Sequence, residues 1–217
     1  MTEGIGFQDK LIVYWRTGIK ALRGLFRGLF LKRRGGMLLV GKGVTISHAR
    51  HIRCGTWVKF EDYAEIHGLC ADGLQFGDYV TIGRGVMIRP SSYYGIDLGE
   101  GLVIGDHSSI GPHGYIGCSG KISIGNNVML GPKCSLFAEN HRFADREHSI
   151  KSQGVVRRGI VIEDDCWIAS GVTILDGVTI GRGCVIGAGT LVTKDVPPGS
   201  VVVDRRDRWV RQRTSEA

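Results

Sequence analysis

Large aliphatic residues recur every six positions through most of the chain, and this spacing predicts the fold. The longest series runs from residue 162 to residue 192, and the same spacing holds in the shorter stretches 40–64, 76–88, 104–122 and 124–136. A period of six fits neither an amphipathic helix nor an alternating strand. It suits a short strand and a turn that repeat, with one large side chain of each repeat pointing inward. The longest series consists of Ile162, Ile168, Ile174, Ile180, Ile186 and Val192.

Three such repeats close one triangular coil of 18 residues, and stacked coils bury a continuous aliphatic column while their backbones pair along the axis. Small residues often stand four places after the aliphatic one. Cys166 and Cys184 are two of them, and their separation of one coil predicts that they stack as packing residues rather than reactive thiols. The pattern therefore predicts an all-β solenoid.

The period breaks twice, and the chain is expected to leave the coil at both places. From Ile88 to Ile104 and from Leu136 to Ile162 the spacing is not a multiple of six. The second break contains the polar stretch FAENHRFADREH, with two histidines. Because a small-molecule site needs a concave surface with converging polar groups, the irregular segments 89–103 and 137–159 are the predicted acceptor pocket.

The N-terminal segment has a helical period instead. Large apolar residues fall at spacings of three and four, and basic residues occupy the other side, which predicts an amphipathic helix. One interpretation packs the apolar face on the coil or on a neighbouring subunit. The other is a membrane-surface anchor, assisted by Lys32, Arg33 and Arg34. The apolar set is Ile12, Trp15, Ile19, Leu22, Phe26 and Leu29, and the basic set is Arg16, Lys20, Arg23 and Arg27.

Composition limits the class of protein. The 34 glycines in 217 residues are about twice the usual ~7% share, as many tight turns require. The net charge of +7 lies at the two ends, so we expect a basic helical segment 1–36, a near-neutral solenoid 37–203 and a basic tail 204–217. No apolar run is long enough to span a membrane. No export signal is recognisable, so a cytoplasmic protein with reduced thiols is expected.

Two further classes of partner are not expected. The absence of C-x-x-C removes the usual zinc-ribbon motif, and no metal site is predicted. The basic residues belong to no recognisable nucleic-acid-binding motif, so nucleic acid is not an expected partner.

Residues 124–213 resemble the sugar O-acetyltransferases of the hexapeptide-repeat superfamily, the group of the maltose and galactoside acetyltransferases. They look closer still to the acetyltransferases of polysaccharide biosynthesis. The resemblance rests on IGNNVMLGP before the loop, NHRFAD within it and VIGAGTLVTKDVPP after it; residues 40–123 match by the repeat alone. It implies a left-handed parallel β-helix, a homotrimer, acetyl-CoA as co-substrate and a sugar hydroxyl as acceptor in cell-surface polysaccharide or lipopolysaccharide synthesis.

In such enzymes the histidine of the N-H pair is the general base, and His141 occupies that position. An imidazole titrates near neutrality and can take the hydroxyl proton during attack on a thioester. Glu139, Asn140 and His113 are the expected acceptor contacts. His148 matches no motif and is expected at the surface.

The resemblance also implies a coenzyme A groove. The pantetheine arm would lie on the coil backbone, and the nucleotide would lie near T-K-D-V-P-P. A departure concerns the nucleotide pocket, because Asp204-Arg205-Arg206-Asp207 stands where relatives have G-x-P-A. Guanidinium groups of the tail suit the ribose phosphate. The implied residues are Trp167, Ala169, Ser170, Gly187, Ala188, Thr193, Lys194, Arg211 and Arg213.

Four alternatives remain from the sequence. An amino-sugar N-acetyltransferase and a xenobiotic acetyltransferase share the repeat, and E-N-H-R-F faintly resembles the latter. A zinc enzyme of the γ-carbonic anhydrase kind shares the coil. However, His107 and His113 are six residues apart, so they would share a metal only between chains. A non-catalytic solenoid scaffold is the fourth alternative.

Overall fold

The computed structural model describes residues 6–90 and 97–205. Short strands in this part of the chain form three parallel sheets, which wind around one another as the three faces of a triangular prism. The protein is a left-handed parallel β-helix, as predicted. Each complete coil contributes one strand to each face.

The strands of the first face are Arg33–Arg34, Ile52–Cys54, Leu74–Phe76, Leu102–Ile104, Ile122–Ile124, Ile160–Ile162 and Thr179–Ile180. Those of the second face are Leu38–Val40, Val58–Phe60, Thr81–Ile82, Ser109–Ile110, Met129–Leu130, Trp167–Ile168, Val185–Ile186 and Val201–Val202. Those of the third face are Thr45–Ser47, Glu65–His67, Met87–Arg89, Tyr115–Gly117, Ser135–Phe137, Thr173–Leu175 and Leu191–Val192. Outside the faces lie the helix Phe7–Gly28, the 3-10 turns Ala49–His51 and Ile150–Gln153, and the strand pair Asn140–His141 and Val155–Val156.

The core is a column of aliphatic side chains along the prism axis. In strands such as Leu102–Ile104 and Ile122–Ile124 both ends point inward and the central residue points outward. Ile110 and Ile116 extend the column across the other two faces and are buried. Burying each such side chain stabilises the fold by roughly 1.5–3 kcal/mol, so the repeat itself supplies most of the core.

The three edges of the prism differ in how much chain they hold. The first edge joins the first and second faces, the second edge joins the second and third, and the third edge returns the chain to the first face. Residues in equivalent positions stay six apart across the first two edges throughout, as in Ile104, Ile110 and Ile116. Across the third edge the spacing varies, from Ile174 to Ile180 in one coil to Leu136 to Ile162 in another. All departures from the period therefore lie on the third edge.

This variation corrects the predicted register near the start of the solenoid. The series 40–64 predicts that Val58 stacks on Val40, but Val40 pairs with Phe60. The third edge of that coil holds two additional residues, so the strands shift by two. Because both ends of each strand point inward, Val58 is buried as well and the sequence pattern looks unbroken. The predicted coil of 18 residues is found where Val161 pairs with Thr179.

The first edge is held together by a ladder of side chains. In four consecutive coils an outward-pointing backbone N–H donates to an Asp or Asn side chain in the next coil. The bonds run from Thr56 N–H to Asp78 (2.8 Å), from Asp78 N–H to Asp106 (2.7 Å), from Asp106 N–H to Asn126 (2.7 Å) and from Asn126 N–H to Asp164 (2.7 Å). The backbone of this edge is thus satisfied within the chain.

The helix Phe7–Gly28 packs on the first coil, but not through the face that its apolar pattern predicts. The buried positions are Gly24 and Gly28, and a Cβ on Gly24 would lie 1.7 Å from the Leu38 carbonyl oxygen. Trp15 and Phe26 remain exposed. The prediction that the apolar face packs on the coil is wrong, because glycine allows closer backbone contact than large side chains do. Within the described residues no helix is long and apolar enough to cross a membrane.

Candidate active site

His141 lies on a short hairpin that leaves the third edge. Asn140–His141 pairs antiparallel with Val155–Val156. The Arg142 N–H continues this pairing by donating to the Gly154 carbonyl oxygen at 3.0 Å. His141 is therefore placed on the base of the loop, near the coil, while the loop tip extends beyond it.

The His141 side chain is exposed and, within the residues that the structure describes, no hydrogen bond to its ring is found. Glu139 does not orient the ring. Its carboxylate faces Arg157 instead, with Oε2 3.9 Å from Nε. The imidazole is thus accessible to a ligand from solvent, while its backbone is held by the hairpin.

The base of this loop is anchored at both sides. The Arg157 guanidinium binds the Asp97 carboxylate and donates to the Leu98 carbonyl oxygen at 3.2 Å. The N–H groups of Arg158 and Gly159 both donate to Asp176 Oδ1, at 2.9 and 2.8 Å. These bonds fix the point where the chain re-enters the coil.

Arg157, Asp97 and Asp176 are not predicted by any motif in the sequence. The signal that points to them is the position of the two breaks in the period. Both breaks follow a third-face strand, so segments 89–103 and 137–159 leave the same edge of the prism, two coils apart, and their contact through Arg157 and Asp97 spans the coil between them. Residues 91–96 of the predicted pocket lie outside the described residues.

The tip of the loop is held by its own side chains. The Gln153 amide donates to the carbonyl oxygens of Asp145 (2.8 Å) and His148 (3.0 Å). His148 is exposed, as expected, and its Nδ1 lies 2.9 Å from Asp145 Oδ2. The Glu147 N–H, and after it His148, hold the pKa of Asp145 below its usual range. His148 therefore acts as a partner of Asp145 within the tip.

The residues assigned to the pantetheine arm lie on the second edge, in two stacked coils. The N–H groups of Ala169 and Gly187 donate to backbone carbonyl oxygens of the next coil, so they are not available to a ligand. Ser170 and Ala188 are exposed residues, and their N–H groups have no acceptor anywhere in 6–90 or 97–205. A Cβ on Gly171 would meet nothing closer than Gly189 at 3.9 Å. These residues form a strip of small side chains with two unused backbone donors.

Such a strip fits an extended ligand that carries amide carbonyl groups, which is what the pantetheine arm of coenzyme A offers. Lower on the same edge the equivalent residues are unsuited to binding such a ligand. Pro112 and Pro132 have no N–H to donate. Asp62 and Arg84 carry charged side chains that face each other, with 4.0 Å between Oδ2 and Nη1.

The other assigned residues lie around this strip. Thr193 and Lys194 are exposed on the third edge, after the strand Leu191–Val192. Trp167 stands on the outer side of the second face with 51% of its surface exposed. The Asp204 carboxylate accepts the Leu191 N–H at 3.2 Å, so part of the departure from the family motif ties the chain to the last coil. Arg211 and Arg213 lie outside the described residues.

One chain does not bring the base and the strip together. His141, Asn140 and Glu139 are on the third edge, whereas Ser170 is on the second. The strand Thr173–Leu175 lies between the two edges, and at about 3.3 Å per residue they are roughly 16 Å apart. His113 lies on the second edge, two coils below Ser170. It is likewise separated from His141 within one chain.

The described part of the chain contains no site suited to metal binding or to thiol chemistry. His107 and His113 occupy neighbouring edges, and no group of three His, Cys, Asp or Glu side chains suited to a metal is found in that part. The six cysteines are buried. Burial raises the pKa of Cys54 to about 12, as expected for packing residues.

Comparison with known proteins places the chain in a family. The family model for the bacterial transferase hexapeptide (six repeats) matches residues 159–194. A crystal structure of a hexapeptide-repeat acetyltransferase from Vibrio cholerae is 30% identical over 62% of this chain and 71% of that one, with a TM-score of 0.51. The chain belongs to the hexapeptide-repeat acetyltransferases.

Two further solved structures match the chain over a shorter length. The Vibrio cholerae protein in complex with acetyl-CoA matches at 30% identity, over 58% of this chain and 63% of that one, with a TM-score of 0.49. A maltose O-acetyltransferase from Clostridium difficile is 31% identical over 58% of this chain and 62% of its own, with a TM-score of 0.47. This chain thus spans less than two thirds of the length of both.

The N-acyltransferase AntD from Bacillus cereus, in complex with a dTDP-amino sugar and coenzyme A, covers more of the chain. It is 16% identical over 88% of this chain and 89% of its own, with a TM-score of 0.53. At this identity it shows a shared fold and nothing finer. No protein among those with curated functions matches the sequence.

Proposed function

We propose that this chain is an acetyl-CoA-dependent O-acetyltransferase that acetylates a sugar hydroxyl, with His141 as general base. The observation that carries the proposal is the accessible His141 ring, held on a hairpin whose base is anchored to the coil, in a member of an acetyltransferase family. The sugar would belong to a cell-surface polysaccharide or lipopolysaccharide under synthesis.

The second edge supplies the proposed place for the acyl donor. Acetyl-CoA would provide the acetyl group as a thioester, which releases the CoA thiol when an oxygen nucleophile attacks the carbonyl. The N–H groups of Ser170 and Ala188 would donate to the carbonyl groups of the pantetheine arm. Lys194 and the tail residues Arg211 and Arg213 would offer positive charge to the phosphates.

The proposed work of His141 is proton transfer. A sugar hydroxyl is a poor nucleophile at neutral pH, and a neutral imidazole can accept its proton while the new C–O bond forms. The same ring can return that proton to the departing sulfur, so atoms and charges balance with no covalent enzyme intermediate. An accessible ring without a hydrogen-bond partner in the described residues is available for this contact.

The site would need two chains. Since His141 and Ser170 of one chain lie on different edges, the base of one subunit would face the donor strip of its neighbour. A trimer of prisms repeats this contact three times with closed symmetry. We therefore propose a homotrimer with three active sites.

Two histidines on one loop provide the test and its control. His141→Ala should lower the turnover of acetyl transfer by roughly 10²–10⁴-fold, the usual contribution of a positioned base, with CoA affinity unchanged. His148→Ala removes another exposed ring from the same loop, so turnover should stay near that of the unchanged protein. Retention of more than about a tenth of the activity in His141→Ala would show that another group is the base.

The acceptor is tested by thiol release from acetyl-CoA across a panel of neutral sugars, amino sugars and small xenobiotic alcohols. An O-acetyl product is cleaved by hydroxylamine, whereas an N-acetyl product resists it. A hydroxylamine-stable product formed only from amino sugars would replace the O-acetyltransferase proposal with N-acetylation.

A further inference from the structure

The N-terminal helix carries three stripes, and one of them fixes its orientation. Thr17, Ala21, Gly24 and Gly28 lie on one side, and the two glycines are buried against the first coil. A Cβ on Gly28 would lie 2.8 Å from the Arg34 side chain. This small-residue stripe holds the helix on the prism and determines which sides of the helix face outward.

The second stripe is apolar and its side chains are exposed, although Leu22 and Phe26 also border a groove next to Val40 and Val44 of the first coil. Trp15 has 72% and Phe26 has 62% of its surface exposed. This apolar stripe is far larger than the scattered single residues that are normal on a soluble surface. Its exposed members are Phe7, Leu11, Ile12, Tyr14, Trp15, Leu22, Leu25 and Phe26.

The third stripe is basic and borders the apolar one. Arg16, Arg23 and Arg27 are exposed, and in the described part of the chain none of them has an acidic partner. Lys20 differs, because it binds Glu61 in the second coil. Asp9 is the one acidic residue between Phe7 and Gly28, so the outward surface of the helix is strongly positive.

Charge distinguishes between the two occupants that an apolar stripe of this size can have. A second copy of the chain that docked helix against helix would bring two basic stripes together with almost no acidic residues to pair with them, and the like charges would repel. A bilayer with anionic phospholipids accepts the apolar side chains at the acyl boundary and attracts the arginines at the headgroups. Tyr14 and Trp15 add aromatic rings with a polar atom, which suit the interface between the two.

We infer that the helix Phe7–Gly28 binds the surface of an anionic phospholipid bilayer, lying in the interface with its apolar stripe inserted. The small-residue stripe keeps the prism on the other side of the helix, so the β-helix stands on the water side. This surface is separate from His141 and from the Ser170 strip, and its occupation requires neither acetyl-CoA nor an acceptor.

Flotation of the full chain with lipid vesicles tests the inference. The protein should float with phosphatidylcholine vesicles that contain about 30% phosphatidylglycerol, and not with pure phosphatidylcholine, because each basic residue near an anionic surface adds about fivefold in binding. Binding should weaken as salt shortens the screening length.

Three variants assign the binding to the helix. Trp15→Glu with Phe26→Glu should reduce vesicle binding more than tenfold. The triple change of Arg16, Arg23 and Arg27 to Gln should reduce it roughly 100-fold. The control changes Lys133, Lys151 and Arg182 to Gln, which removes the same charge from exposed positions outside the helix, and should float like the unchanged protein. Circular dichroism and thermal melting verify that each variant folds.

The outcomes separate the alternatives. Failure of the unchanged protein to float with anionic vesicles overturns the inference. Equal loss in the control variant overturns it too, because binding would then follow overall charge. If the unchanged protein ignores vesicles and Trp15→Glu with Phe26→Glu lowers its mass in sedimentation, the stripe is an interface between copies. All of these measurements omit acetyl-CoA, so they succeed or fail independently of the proposed acetyl transfer.

Discussion

The first edge of the prism and the upper part of the second edge have the same backbone turn but differ in whether a side chain accepts its outward N–H. On both edges a residue with positive φ completes the turn, for example Asp165 (60°) on the first and Gly171 (71°) on the second. On the first edge an Asp or Asn in the next coil accepts the N–H, whereas at Ser170 and Ala188 no acceptor is found in the described residues. One side chain per coil thus decides whether an edge is closed or open to a ligand.

The third edge differs from both because it tolerates insertions. Its loops do not have to maintain the six-residue spacing, since the strands on either side are already held by the neighbouring coils. Loops on a rigid scaffold commonly carry binding and catalytic groups. We therefore propose a different role for each edge. The first edge holds the coils together, the second binds the acyl donor, and the third holds the base and the acceptor.

Replacement of residues 142–156 by a short Gly/Ser connector should have the largest effect on this division. Acetyl transfer should be abolished, because acceptor contacts and the position of His141 are lost together. The coils do not depend on the tip, so the trimer and CoA binding should persist, as measured by sedimentation and calorimetry. Loss of the trimer or of CoA binding in this variant would assign the loop a structural role. Separately, an unmodified chain that is monomeric and still active would contradict the two-chain site.

The same substitution, Ile to Ala, should affect stability strongly in a coil and hardly at all in the loop. Ile116→Ala leaves a cavity in the aliphatic column and should lower the free energy of unfolding by about 2–5 kcal/mol. Ile150→Ala removes an exposed side chain and should change it by less than about 0.5 kcal/mol. Denaturant unfolding measures both, and equal losses would mean that the loop is part of the cooperative core.

Ser170→Pro tests the open edge with little disturbance, because Pro112 and Pro132 already occupy the equivalent turn position in lower coils. It removes one N–H donor and should weaken CoA binding about five- to tenfold, as expected for one hydrogen bond. Arg84→Pro removes an equally unused N–H lower on the same edge and should leave CoA affinity unchanged. Equal affinity of both variants and the unchanged protein would place the pantetheine arm elsewhere.

The smallest effect is expected for the thiols inside the coil. All six cysteines are buried, so a disulfide reagent at pH 8 should modify none of them before unfolding. Burial also raises the pKa of Cys54 to about 12 and that of Cys70 to about 11, from 9.0, so these two thiols ionise more easily in the unfolded chain. Their contribution to stability is therefore complete below about pH 9 and decreases as the pH rises toward 11 and 12. Rapid labelling of native protein would show that the coil opens.

The sequence by itself determined the coil, its core and the loop that carries His141. A six-residue period is local, and it needs only one inward aliphatic per repeat. Ile104, Ile110 and Ile116 are therefore recognisable without a structure. The motif around His141 is equally local, because its residues are consecutive.

Only the tertiary structure decided which residues of different coils meet. The offset between one coil and the next is the length of chain at the third edge, and these lengths vary. The sequence therefore does not show that Val40 pairs with Phe60 or that Arg157 reaches Asp97. The unused N–H groups of Ser170 and Ala188 depend on what the next coil offers at one position. The helix periodicity likewise predicts an apolar side, but the close contact of Gly24 with Leu38 decides that this side faces outward.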